Sequence, residues 1–191
     1  MGKLRSALFQ NYRSVGSIVG RYWRAYGGAR ALVVSPYFHL SLVVTAVTSM
    51  IWSTEKWWDQ VVTVIPSLLG FSLSGLAIVL GFGGEKFLDV MRGRDSADQQ
   101  DESPYIVVAA AFTHFVFVQV LALLLAITAI GLWQFEGAST PWLFASNRVA
   151  RGILWGLGYW MFVYAICSAA ATLFAVFRMA TWFDHHKSGQ E

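Results

Sequence analysis

The chain has 191 residues, of which 56% are apolar, 16% aromatic and only 13% charged, with a formal net charge of +3. Soluble globular chains carry roughly 25% charged residues, and so short a chain cannot bury this apolar surplus in one water-soluble core, so that class is excluded. The positive charge comes from an uneven placement of Lys and Arg along the chain, which gives no ground for expecting nucleic-acid binding.

Residues 1–30 are expected to form a basic amphipathic helix on the cytoplasmic membrane surface. Leu4, Leu8, Tyr12, Val15, Val19, Tyr22 and Tyr26 recur at spacings of three and four, the one-sided stripe of such a helix. Arg13, Arg21, Arg24 and Arg30 fall mostly off the stripe, where anionic headgroups or an acidic partner would attract them. Gly27-Gly28 should end this helix, and Pro36 suits the first turn of the next.

Beyond it, four windows contain no Asp, Glu, Lys or Arg. They hold 24 residues between Arg30 and Glu55, 25 between Asp59 and Glu85, 33 between Glu102 and Glu136, and 26 between Arg151 and Arg178. About 20 apolar residues cross a hydrocarbon core of roughly 30 Å. The predicted fold class is therefore an all-α integral membrane protein with four transmembrane helices. Its spans fall at about 37–53, 61–84, 105–133 and 152–177 within a transmembrane domain of residues 31–181. The first span should act as an uncleaved anchor, since no signal-peptide pattern precedes it.

Lys and Arg set the orientation. Six precede the first span, one lies in the first loop, three in the second, two in the third and two after the last span. With both termini and the 85–104 loop in the cytoplasm, 11 lie inside and 3 outside. A bacterial inner membrane is the expected location. The acidic part of the cytoplasmic loop, with Asp95, Asp98, Asp101 and Glu102, joins the basic helix and the 182–191 tail as a surface for a cytoplasmic protein partner. Six of the nine tryptophans (Trp52, Trp57, Trp58, Trp133, Trp142, Trp155) fall near the outer boundary, the layer that indoles favour.

Span 2 carries the clearest packing signal. Ser67, Gly70, Ser74, Ala77, Gly81 and Gly84 alternate at spacings of three and four, making one seam of small residues along which backbones can approach closely. Another helix of the same chain, a second copy, or a narrow pore could each meet that seam. Gly152 and Gly156 place a GxxxG at the start of span 4. Gln119 is the amide well inside a span, and interhelical hydrogen bonding is its expected role.

Chemistry-bearing groups are sparse. His39 and His114 are the ionisable residues within spans, readable as a pH-sensing pair or as two histidines satisfied by a carbonyl or interfacial water. Asp184-His185-His186 is poor metal-ligand spacing on a helix, and Cys167 reads as a small apolar filler. No serine has a plausible His and Asp partner. Neither enzymatic activity nor a cofactor or metal is expected.

The stretch Ile65-Pro66-Ser67-Leu68-Leu69-Gly70-Phe71-Ser72-Leu73-Ser74-Gly75, leading to Gly81-Phe82-Gly83-Gly84-Glu85-Lys86-Phe87, resembles small bacterial four-span membrane proteins. Among these are the membrane subunits of anti-phage systems of the Kiwa type. The resemblance implies a homo-oligomer that senses membrane perturbation during infection and signals to a cytoplasmic, DNA-binding partner. The outer tryptophans and the span 2 seam would then be the sensing and assembly elements. The alternative expectation is a homo-oligomeric channel or pore-forming effector.

Overall fold

A computed structural model describes residues 2–81, 104–135 and 148–188. Among these residues the chain forms seven helices and no strand: α1 (Gly2–Tyr26), α2 (Gly28–Val34), α3 (Pro36–Val47), α4 (Ser49–Thr54), α5 (Trp57–Gly81), α6 (Pro104–Phe135) and α7 (Arg148–Ser188). Helices α5, α6 and α7 are each long and apolar enough to cross a membrane, and α2 with α3 counts as a fourth if a pair bent by 55° makes one span. An α-helix is the natural state of such segments, because it satisfies backbone N–H and C=O groups without water.

The first span differs most from the sequence expectation. The helix expected over about 37–53 is interrupted at Thr48, between α3 and α4. Two hydroxyls there bond back to the preceding turn, Thr45 Oγ1 to the Ser41 carbonyl at 2.8 Å and Thr48 Oγ1 to the Val44 carbonyl at 2.7 Å, a pattern that bends helices. The Thr45 carbonyl accepts the Trp52 indole N–H at 2.9 Å, so the Trp52 side chain of α4 reaches back across the break to α3. Pro36 does open α3. Gly27 and Gly28 end α1 in the left-handed region, with φ of 97° and 65°. That backbone is open to glycine, and it turns the chain sharply from α1 into α2.

Helix α6 matches the third expected span within two residues. The fourth expected span corresponds to the apolar stretch Val149–Arg178 of α7, while the helix itself runs 41 residues to Ser188, about 60 Å and twice the thickness of a hydrocarbon core. The expected tail of 182–191 is therefore helical backbone as far as Ser188.

The two longest helices form the centre. Helix α7 packs along α6 and α3, while α5 packs along α6 and touches α7; α1 lies against α6, and α4 against α7. Val61, Ile65, Ala122, Ala126 and Ala165 fill the shared interior with no exposed surface. Small alanines on α6 bring the three helix axes close. One polar bridge crosses this core. Gln119 Nε2 donates to Ser72 Oγ at 2.9 Å, the interhelical bond expected of that amide, although Gln119 Oε1 has no partner.

One end of the bundle is stoppered by indoles. Trp57 and Trp58, the first two residues of α5, are 1% and 2% exposed. The Trp58 ring lies 5.4 Å from Trp133 and 5.5 Å from Trp155, centroid to centroid. Trp57 fits because α7 carries Gly158 there: a Cβ at that position would collide with its ring. These tryptophans were expected in the water–membrane boundary layer. Trp57 and Trp58 turn inward onto neighbouring helices, because α5 begins between the end of α6 and the start of α7. The Trp57 indole N–H is left without a partner.

Candidate functional site

About 29 Å along α6 from Trp133, and ten residues in from Pro104, lies a polar cluster centred on His114. The side chain is 6% exposed and three tyrosines surround it. Tyr22 OH lies 2.7 Å from Nδ1, and Tyr164 OH lies 2.9 Å from Nε2. Tyr26 stacks on the imidazole, with centroids 4.0 Å apart and planes 18° apart. A neutral imidazole donates at one nitrogen and accepts at the other. Both tyrosine hydroxyls are therefore satisfied whichever tautomer is present.

The local sequence explains the arrangement. Tyr22 and Tyr26 are four residues apart on α1, so their rings leave the same face of the helix one turn apart. Ala25, the buried residue between them, lets that turn settle on α6. Tyr164 comes from α7. Burial pushes the Tyr22 hydroxyl up to about 12, with the nearby Tyr26 acting in the same direction. Burial also raises Tyr26. Both stay protonated near neutral pH and keep a hydrogen to share. The cluster thus holds the last turn of α1 to α6 and α7. No group of three or more His, Cys, Asp or Glu that could hold a metal ion occurs among the described residues.

His39 lies apart, exposed on α3 with its ring edge-on to Phe38 at 5.9 Å. The two histidines have separate surroundings, as in the reading of two independently satisfied side chains, and His39 takes no part in the His114 cluster. The hydroxyls of Tyr22 and Tyr164 take the role expected of a carbonyl or water.

The α5 seam faces outward. Ser67, Gly70, Ser74, Ala77 and Gly81 are all exposed, and a Cβ added at Gly70 or Gly81 would meet nothing within 4 Å. The chain's own helices pack instead on the opposite side of α5, through Val61, Ile65 and Ser72. Gly84 lies outside the described residues. The two glycines of the α7 GxxxG separate: Gly156 faces the Trp52 ring, 3.3 Å from where a Cβ would stand, while Gly152 is open.

Arg13, Arg21, Arg24 and Arg30 are exposed along α1 and at the start of α2. So are Tyr12, Val15 and Val19 of the apolar stripe, and Phe9 and Ile18 off it; the Leu4 and Leu8 side chains lie outside the described residues. Asp95, Asp98, Asp101 and Glu102 lie outside the described residues.

The chain matches no protein-family model, no curated protein and no solved structure.

Sequence reasoning did not find the roles of Tyr22, Tyr26 and Tyr164, or the small space at Gly158. For the first two, the i, i+4 pair of tyrosines closing an amphipathic stripe was the available signal. It marked a shared face without naming what that face meets.

Proposed function

We propose that this protein is a non-enzymatic, multi-pass subunit of a bacterial inner membrane that assembles with copies of itself along α5. Its termini and its 85–104 loop face the cytoplasm, where a protein partner docks. The observation that carries the assembly reading is the outward seam from Ser67 to Gly81, about 21 Å long, with open space at Gly70 and Gly81. In lipid, helices associate through close backbone contact, which such a seam permits. Helix α1 is the membrane-surface arm of this reading, with exposed arginines and an apolar stripe exposed at Tyr12, Val15 and Val19, suited to headgroups and acyl boundary. The setting in anti-phage defence, sensing membrane perturbation, rests on the resemblance of the 65–87 stretch.

The test is the mass of the purified protein in a gentle detergent. Gly70→Leu and Gly81→Leu fill space open in the single chain, so folding should survive while the oligomer mass falls. An unchanged mass would remove the assembly reading. Deleting the gene in its host tests the setting separately: unchanged phage plating would remove defence and leave assembly standing. The channel reading has less support. The interior between α5, α6 and α7 is filled by side chains with no exposed surface, so conduction would have to run between copies.

A further inference from the structure

Two cavities meet at the tryptophan end. The first, of about 910 Å³, is lined by Glu55, Lys56, Asp59 and Arg151 together with Trp133 and Trp155. The second, of about 610 Å³, runs down the outside of the bundle between α3 and α7 and is lined by Phe38, Leu42, Ile153 and Leu157 among other apolar groups. Trp52 and Gly152 line both. A polar, charged cleft therefore opens directly onto an apolar groove, and the passage between them runs past a residue with no side chain.

We infer that the pair is a binding site for one phospholipid with a zwitterionic, amine-bearing headgroup of the phosphatidylethanolamine class. An acyl chain would lie in the groove and the headgroup in the cleft. Two observations select this occupant. The cleft places two cations, Lys56 and Arg151, beside two carboxylates, Glu55 and Asp59, complementary to a phosphate and an ammonium on one molecule. An anionic headgroup without the amine would meet the two cations but bring nothing to pair with Glu55 and Asp59, which line the same cleft. The groove extends on α7 from Val149 to Trp160, about 16 Å along the axis, which is half of a roughly 30 Å hydrocarbon core. That is the depth of one leaflet. A transmembrane helix of a second copy would want the full depth, as the α5 seam offers. This inference shares with the assembly reading only the placement of the helices in a membrane.

The test is lipid retention by the full-length protein in detergent, read by native mass spectrometry. Phosphatidylethanolamine, phosphatidylglycerol and diacylglycerol with the same acyl chains are added in turn. Phosphatidylethanolamine should be held at least about tenfold more tightly than either of the others, since each charged headgroup contact contributes that much or more. Gly152→Leu, whose added side chain meets open space, should block the passage and abolish the preference while leaving the oligomer mass unchanged. Lys56→Glu, at an exposed position where the ammonium stands 5.8 Å over the Trp133 ring, should weaken binding by a similar factor without adding bulk to the core, and serves if Gly152→Leu does not fold. Equal retention of the three lipids would overturn the proposal, leaving ordinary boundary lipid. Gly152→Leu lowering the oligomer mass with lipid preference intact would also overturn it, making the groove an interface between copies.

Discussion

Two aromatic clusters lie about 29 Å apart along α6, and they are held by different physics. In one cluster Trp57 and Trp58 wedge between α6 and α7, held by ring packing and by the missing side chain of Gly158, with the Trp57 N–H unbonded. In the other cluster Tyr22, Tyr26 and Tyr164 gather around His114, with the Tyr22 and Tyr164 hydroxyls bonded to its two ring nitrogens. The first arrangement joins helices that already form the core. The second fastens a peripheral helix to it. Packing of the first kind has one solution and resists partial loss, whereas a few hydrogen bonds of modest net strength allow α1 to leave while the bundle stays folded.

That contrast can be broken by experiment. The largest effect should come from Trp57→Ala, which empties the stopper and should destabilise the bundle by about 3–5 kcal/mol. Gly158→Val, which overfills the same place, should cost about 1–3 kcal/mol. Thermal unfolding in detergent reads both. His114→Ala strands two tyrosine hydroxyls and should cost about 1–3 kcal/mol, shared between the docking of α1 at Tyr22 and the α6–α7 contact at Tyr164. Hydrogen exchange should rise most along α1 and stay unchanged in α5. A uniform rise across all helices would show that the tyrosine cluster belongs to the core after all.

Alkali offers a gentler probe. Tyr22 and Tyr26 hold their protons more tightly docked than free, since burial disfavours the phenolate. A group whose pKa is raised on docking contributes fully below its free value and loses that contribution as pH climbs to its docked one. Docking of α1 should therefore be insensitive to these hydroxyls up to pH 10 and weaken as the pH approaches about 12. Phenolate absorbance followed alongside exchange in α1 would check the order of events; release of α1 well below pH 10 would assign it to another group. The smallest effect should be that of Gln119→Leu. Membrane hydrogen bonds average about 0.6 kcal/mol, and this substitution also removes an unpaired carbonyl oxygen, so the net change in stability should stay within that figure.

How much of this was legible depended on whether the signal was local. The charge-free windows marked α5, α6 and α7, because a segment's own composition decides whether it is helical and apolar. Pro36 and Gly27-Gly28 acted as read, since each constrains its own backbone. The break at Thr48 was not legible: it needs the Thr45 carbonyl to be taken by Trp52, seven residues on. Trp57 and Trp58 were placed at the membrane boundary by type, yet their burial depends on Gly158, a hundred residues away. Tyr22 and Tyr164 stand 92 and 50 residues from His114, and no periodicity in one helix points to the partner in another. The seam of α5 was legible as a surface, but which way it faced was not. That was decided by Ser72, Val61 and Ile65 winning the inner side.

The geometry of α1 has a mechanical side. Among its described side chains, only those of the last turn are covered: Ala25 is buried and Tyr22 and Tyr26 are half-buried. The twenty residues before Tyr22 make an arm of about 30 Å, ending at a fulcrum where Gly27 and Gly28 take positive φ. The fastening spans only the four-residue step from Tyr22 to Tyr26, about 6 Å. A lever of those proportions multiplies travel roughly fivefold, so shifting the far tip by a headgroup's width moves the tyrosines by little more than the reach of a hydrogen bond.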